Sequence, residues 1–341
     1  MELWFNDQPA ALTTTFITNT SIIARVPAEL PEVITNKLKL VFSNGEELIY
    51  DFAVDISEPF VSRMKCEYVN VGDNATFYGN YFYAPISVVF TGGVEGEIVS
   101  LEDDIMEVKV PVGVQPGPIT ITNNFGIVET DFWFIDNRNI ILSFDNMSGP
   151  NGQAPAGTSL WHPAPGDFNR ASNSIEGIPS INGNYLYNPY PSGYGAWGWS
   201  ELWTGNAPAP ENAELANIPE EAFVNPGAYS LKMEVNTIGG STSGAWFNVW
   251  IGNDIGSLAS RGPVGGQANP QLYNWRPNFD TNGEWQTITI PWSEFYAYGS
   301  EGGFEYSASG YDISIVLQGP NDATMKALAI DNVRVVPNTN D

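Results

Sequence analysis

The apolar residues of this chain recur mostly at every second position, in short runs, and rarely at helical spacing. Tyr229-Ser-Leu-Lys-Met-Glu-Val235, Trp285-Gln-Thr-Ile-Thr-Ile290 and Asp312-Ile-Ser-Ile-Val-Leu317 show the pattern, as do residues 245–251 and 328–336. A period of two sends alternate side chains to opposite faces of an extended strand. The runs are rich in Val, Ile, Thr and aromatic residues, which fit a pleated surface. They are separated by turn residues drawn from 34 Gly and 25 Pro, spread without period. The expected fold class is therefore all-β, with antiparallel sandwiches. Helix is expected only in short pieces, at residues 211–218 and in the turn Trp292-Ser-Glu-Phe295.

A length of 341 residues suggests two or three domains, and an internal repeat divides the first 137. Ile23-Ala-Arg-Val26-Pro27 is followed by Leu40-Val-Phe-Ser-Asn44-Gly45 and by Tyr50-Asp-Phe52. Val108-Lys-Val-Pro111 is followed in the same way by Ile119-Thr-Ile-Thr-Asn123-Asn-Phe-Gly126 and by Thr130-Asp-Phe132. Each copy reads as strand, Pro-bearing loop, strand, Asn/Gly turn, strand. The second copy also has an earlier segment, Gly72 to Phe82, whose counterpart in the first would fall before residue 1. The chain is thus expected to start partway through a domain. The Gly79-Asn80-Tyr81-Phe82 stretch and the Asn/Gly hairpins with aromatic strand ends resemble the IPT/TIG family of Ig-like domains. The expected division is a partial Ig-like domain at 1–57, a second at 58–137, and a larger jelly-roll-like sandwich at 138–341.

With 39 acidic and 13 basic residues the formal charge is −26. Nucleic-acid binding needs a basic footprint, which is missing. Anionic membranes and acidic polysaccharides are disfavoured for the same reason, and a neutral ligand fits best. Cys66 is the one cysteine, so no intrachain disulfide forms; between Met64 and Tyr68 it reads as a buried structural thiol. The N-terminal residues have neither the basic nor the apolar region of a signal peptide.

Nine of the eleven tryptophans lie between Trp161 and Trp292, among tyrosines, asparagines and glycines. Wide rings with polar tips suit the C–H faces and rim hydroxyls of a sugar; sandwich core accounts for about half of them equally well. Three stretches are candidates for ligand contact. On Trp246-Phe-Asn-Val-Trp250, Trp246, Asn248 and Trp250 share a face opposite Phe247 and Val249, with an expected spacing of about 7 Å between rings. Lys232, Glu234 and Asn236 are expected on a neighbouring strand as hydroxyl partners. The second stretch holds Trp197, Trp199 and Trp203, and the third holds Tyr273, Trp275 and Arg276. Trp285 and Trp292 read as core.

The larger unit resembles the C-terminal glycan-binding domain of Bacteroidetes surface glycan-binding proteins. The resemblance rests on Leu142-Ser-Phe-Asp145, Tyr194-Gly-Ala-Trp-Gly-Trp199, Tyr273-Asn-Trp-Arg-Pro277, Trp285 to Pro291 and Ile330-Asp-Asn-Val-Arg334. It implies a non-catalytic outer-membrane lipoprotein that captures a neutral polysaccharide, a β-glucan such as xyloglucan, for an outer-membrane transporter. Tandem Ig-like domains would act as spacers, with residues 138–341 binding about as well alone. A lipid-anchor cysteine is missing from the sequence.

The alternatives are an adhesive or structural surface protein that binds protein, and a glycoside hydrolase, which needs two placed carboxylates that no motif singles out. The one histidine, His162, lies in a Pro-rich loop without a ligand set, which argues against a triad or His-rich metal site. No cofactor is expected. Asp145 and Asp331, near the ends of the terminal strands, are minor candidates for structural calcium, which prefers oxygen ligands. Turn chemistry explains both almost as well.

Overall fold

The computed structural model describes residues 1–18, 20–27, 29–145, 170–188, 199–207, 217–241, 246–252, 272–275, 280–294, 311–318 and 327–339. The first repeat copy forms β1 (Glu2–Phe5), β2 (Gln8–Pro9), β3 (Leu12–Ile17), β4 (Ile22–Ala24), β5 (Lys37–Val41) and β6 (Glu47–Asp51). The second forms β7 (Phe60–Met64), β8 (Asn74–Asn80), β9 (Ile86–Phe90), β10 (Val94–Glu95), β11 (Glu97–Leu101), β12 (Ile105–Lys109), β13 (Gly117–Asn123) and β14 (Gly126–Phe134). The order β2-β1-β5-β6 in the first copy repeats β10-β9-β13-β14 in the second, and the β3-β4 pair repeats β11-β12. The repeat read in the sequence is therefore a repeat of topology. In the second copy β12 continues into β8 and β7. Among the described residues the first copy has no counterpart of those two strands.

That difference sets the size of each core. Met64 from β7 and Ala75 and Phe77 from β8 join Val88, Phe90, Ile119, Ile121 and Phe134 in one apolar cluster. The first copy buries Leu3 and Leu40, while Ile23, Val26, Val33, Ile49 and Tyr50 stay exposed. Gly79 allows β7 to approach β8 closely, since a Cβ there would lie 1.9 Å from the Phe60 carbonyl oxygen.

The remaining strands are β15 (Ile140–Leu142), β16 (Arg170–Ser172), β17 (Tyr185–Asn188), β18 (Trp199–Ala207), β19 (Tyr229–Ile238), β20 (Trp246–Gly252), β21 (Leu272–Trp275), β22 (Gln286–Pro291), β23 (Tyr311–Gln318) and β24 (Ala327–Pro337). One sheet has the order β16-β17-β24-β19-β22, with β15 also pairing β24; the other has the order β18-β23-β20-β21. All pairings are antiparallel, and the first and last strands are neighbours, as the sequence suggested. Residues 211–216 of the expected helix lie outside the described residues; the helix that is described, α1, spans Glu220–Val224.

In an antiparallel sheet with one wet face, alternate residues should be exposed. β19 breaks that rule, since Ser230 to Thr237 are buried without interruption. Leu231, Met233 and Val235 form its apolar face. On the opposite face Lys232 pairs with Glu67 of the preceding sandwich, Glu234 pairs with Arg334, and Asn236 bonds to Gly283. Trp285 and Trp292 are core residues, 6% and 1% exposed. Cys66 is likewise a buried free thiol, pushed well up from its ordinary pKa by burial.

Candidate functional site

Seven of the nine candidate contact residues fall on one sheet. Trp199 and Trp203 lie on β18, Trp246, Asn248 and Trp250 on β20, and Tyr273 and Trp275 on β21. β23 runs between β18 and β20. Trp197 and Arg276 lie outside the described residues, as does His162.

Register sorts these residues between the two faces. Residues opposed across an antiparallel pair share a face, and successive residues of a strand alternate. Gln318 is paired with Trp199 on one side and with Trp246 on the other. Asn248 is paired with Val316 and Asn274, and Trp250 with Ser314 and Leu272. By register one face thus carries Trp199, Trp246 and Trp250 together with Gln318, Asn248, Asn274, Ser314 and Glu201, and with the apolar Val316 and Leu272. Phe247 is paired with Leu317 and Trp275, and Val249 with Ile315 and Tyr273. With Ile251 and Ile313 these make the second face almost wholly apolar.

Trp199 and Trp203, four residues apart, would share a face on a regular strand. A register shift between Glu201 and Trp203 inserts one residue, and Trp203 is paired with Ile315 on the apolar face. A one-residue slip exchanges the two faces of a strand. Trp203, Tyr273 and Trp275 therefore lie on the face opposite Trp199, Trp246 and Trp250. The expected spacing along β20 also changes: at about 3.3 Å per residue, Trp246 and Trp250 are about 13 Å apart, and about 7 Å is the distance from each to Asn248. Sequence reasoning passed over Gln318 and Ser314. Their signal was the alternation of 312–317, carried one residue further.

The expectation that Lys232, Glu234 and Asn236 border this face is overturned. β19 pairs with β22 and β24, not with β20. Lys232 and Glu234 are taken up in ion pairs with Glu67 and Arg334, and Asn236 Nδ2 donates to the Gly283 carbonyl at 2.9 Å.

The aspartates considered for calcium serve local structure. Asp145 Oδ1 accepts the Asn184 N–H at 2.6 Å, and Asp331 Oδ1 accepts the Asn332 N–H at 2.8 Å. Among the described residues no group of three or more His, Cys, Asp or Glu side chains is placed to hold a metal ion.

The fold places the chain in the class of all-β proteins built from antiparallel, sandwich-like domains. The family model for the surface glycan-binding protein B xyloglucan binding domain matches residues 134–337, and the chain belongs to that family of cell-surface glycan-binding proteins. Among solved structures it is similar to the surface glycan-binding protein PbSGBP-B from Prevotella bryantii, with 24% identity, a TM-score of 0.64, and coverage of 99% of this chain and 90% of that one. SGBP-B from a complex xyloglucan utilization locus in Bacteroides uniformis gives 17% identity and a TM-score of 0.54, covering 99% and 91% of the two chains. A structure determined with xylogluco-oligosaccharide gives 15% identity and a TM-score of 0.53, covering 99% and 73%. At these identities the likeness establishes the fold. No match was found among curated proteins.

Proposed function

We propose that the chain is a non-catalytic surface receptor for a neutral polysaccharide, a β-glucan of the xyloglucan type. It grips the polymer on the face that carries Trp199, Trp246, Asn248 and Trp250. Residues 1–57 and 58–137 serve as Ig-like spacers and 138–341 as the binding unit, on an outer-membrane lipoprotein that passes captured glycan to a transporter. The observation that carries the reading is the register through Gln318, which gathers tryptophans from two strands on the sheet face with polar neighbours. Rings contribute apolar stacking area, while Gln318, Asn248 and Asn274 offer both donors and acceptors to hydroxyls. The family membership and the net charge of −26 point the same way, toward an uncharged ligand.

Affinity electrophoresis in gels containing xyloglucan, mixed β-glucan or an unrelated neutral glycan tests the reading. Retardation by xyloglucan with no release of reducing ends is the expected result. Release of reducing ends would replace it with the hydrolase reading. Unretarded migration in every glycan would leave the protein-adhesion reading in its place.

A further inference from the structure

The family match begins at residue 134, yet a buried charge network on the outer face of its larger sheet is completed from residue 67. Residues 65–70 leave β7 and cross that face. Glu67 spans two of the sheet's cations: Lys232 Nζ donates to Oε1 at 2.7 Å and Arg334 Nη2 to Oε2 at 2.6 Å. Arg334, 0% exposed, also donates to Glu234, from Nη1 to Oε2 at 2.8 Å and from Nη2 to Oε1 at 3.0 Å. Thr287 Oγ1 donates to Glu234 Oε1 at 3.0 Å and accepts the Glu67 N–H at 2.7 Å. One main-chain bond crosses the joint, from the Thr287 N–H to the Lys65 carbonyl at 2.8 Å, and the Ile135 N–H, at the end of the spacer, holds the Glu67 carbonyl at 2.8 Å. Beside them Cys66 and Tyr68 share one apolar cluster with Ile178, Tyr185, Trp285 and Ala329.

The charge balance of this face depends on the crossing segment. Lys232 and Arg334 are matched by Glu67 and Glu234; without Glu67, two buried cations share Glu234. A third carboxylate on the face, Asp331, is pushed toward its neutral form by burial and by Glu234. Leaving one buried charge without its partner costs far more than an exposed pair contributes. Withdrawing the segment would also uncover Trp285 and Tyr185.

We propose that residues 65–70 are an obligatory structural part of the glycan-binding sandwich, with Glu67 as the residue that closes its charge network, so that this sandwich and the one before it unfold together and no hinge operates between them. The glycan face is thereby held at a fixed angle to its spacer. This reverses the expectation that residues 138–341 are self-sufficient, and it stands whether or not the proposed ligand is correct.

Cys66 provides the test, because the chain's one cysteine is inside this joint and 6% exposed. In the full-length protein, N-ethylmaleimide should label Cys66 no faster than the amides of β19 and β24 exchange with solvent. Glu67→Gln should speed labelling by about tenfold or more and lower the melting transition seen by tryptophan fluorescence. Glu97→Gln, at an exposed position of β11, should change neither. If Glu67→Gln does not fold, hydrogen exchange of the unaltered protein decides, with the Glu67 and Thr287 amides expected to be as protected as those of β19. Rapid labelling of the unaltered protein, unchanged labelling and melting in Glu67→Gln, or early exchange of the Glu67 amide would each overturn the proposal.

Discussion

Trp199 and Trp246 share one register partner, Gln318, from opposite sides of β23. They lie two strands apart, about 10 Å at the usual strand spacing. An amide residue stands between two aromatic ones on the same face, and this relation joins stretches 47 residues apart (246 − 199) in the sequence. The platform proposed for the glycan, being built across strands, would be as rigid as the sheet that carries it. On that proposal, contact geometry would owe little to loop ordering, which otherwise subtracts from affinity.

Alanine replacement of Trp199, Trp246 or Trp250 is expected to weaken xyloglucan binding by about 1–3 kcal/mol each, the range for anchoring aromatics at recognition sites. Melting temperature should change little. Titration calorimetry and thermal melts on the same variants check both halves.

Trp203 and Trp275, on the apolar face by register, should behave in the opposite way. Their alanine variants are expected to lose about 3–5 kcal/mol of stability, as for Trp285 and Trp292, whose burial is nearly complete. A Trp203→Ala variant that melts normally but fails to bind would place the bulge between Glu201 and Trp203 elsewhere.

Ionic strength should hardly matter to a neutral ligand. Salt screens charge pairs over roughly 8–10 Å at moderate concentrations, and the proposed contact forms few of them. A tenfold fall in affinity between low and moderate salt would indicate a charged partner.

Asp331 offers a pH test. It is fully buried, and its Oδ2 atom has no hydrogen-bond partner among the described residues. Burial first, then Glu234, hold its pKa well above the carboxylate range, with Asp145 adding to the rise and the Asn332 N–H and Arg334 opposing it. A raised acid keeps its proton longer in the folded state than in the unfolded one. Between the two pKa values the folded protein holds more protons, so this group's contribution to stability falls as pH rises. Asp331→Asn removes that loss. Its melting temperature should exceed that of the unaltered protein near pH 8 and converge with it near pH 4. A variant that is less stable near pH 8 would show that the ionised carboxylate is stabilised in the fold.

Strands were legible in the sequence because a period of two leaves a mark within a few residues. Runs such as 229–235 and 312–317 appear as β19 and β23, and the repeat of residues 1–137 appears as a repeated strand order. Strand neighbours left no such mark. Lys232 and Glu234 look like a solvated edge because charge alternates with Leu and Val. Their partners are residues 165 positions upstream, at Glu67, and 100 downstream, at Arg334. The bulge that separates Trp199 from Trp203 is equally silent, since Leu202 carries no turn or glycine signal. Site composition could be read locally, whereas its division between two faces depended on pairing.

Calorimetric titration of the full chain with a xyloglucan oligosaccharide, beside a Trp199→Ala/Trp246→Ala double variant, tests the central claim most directly. Saturable binding by the unaltered protein and its loss in a double variant that melts at the same temperature are the predicted results. Equal binding by the two proteins would contradict the assignment of the ligand to this face, and no binding by either would contradict the ligand itself.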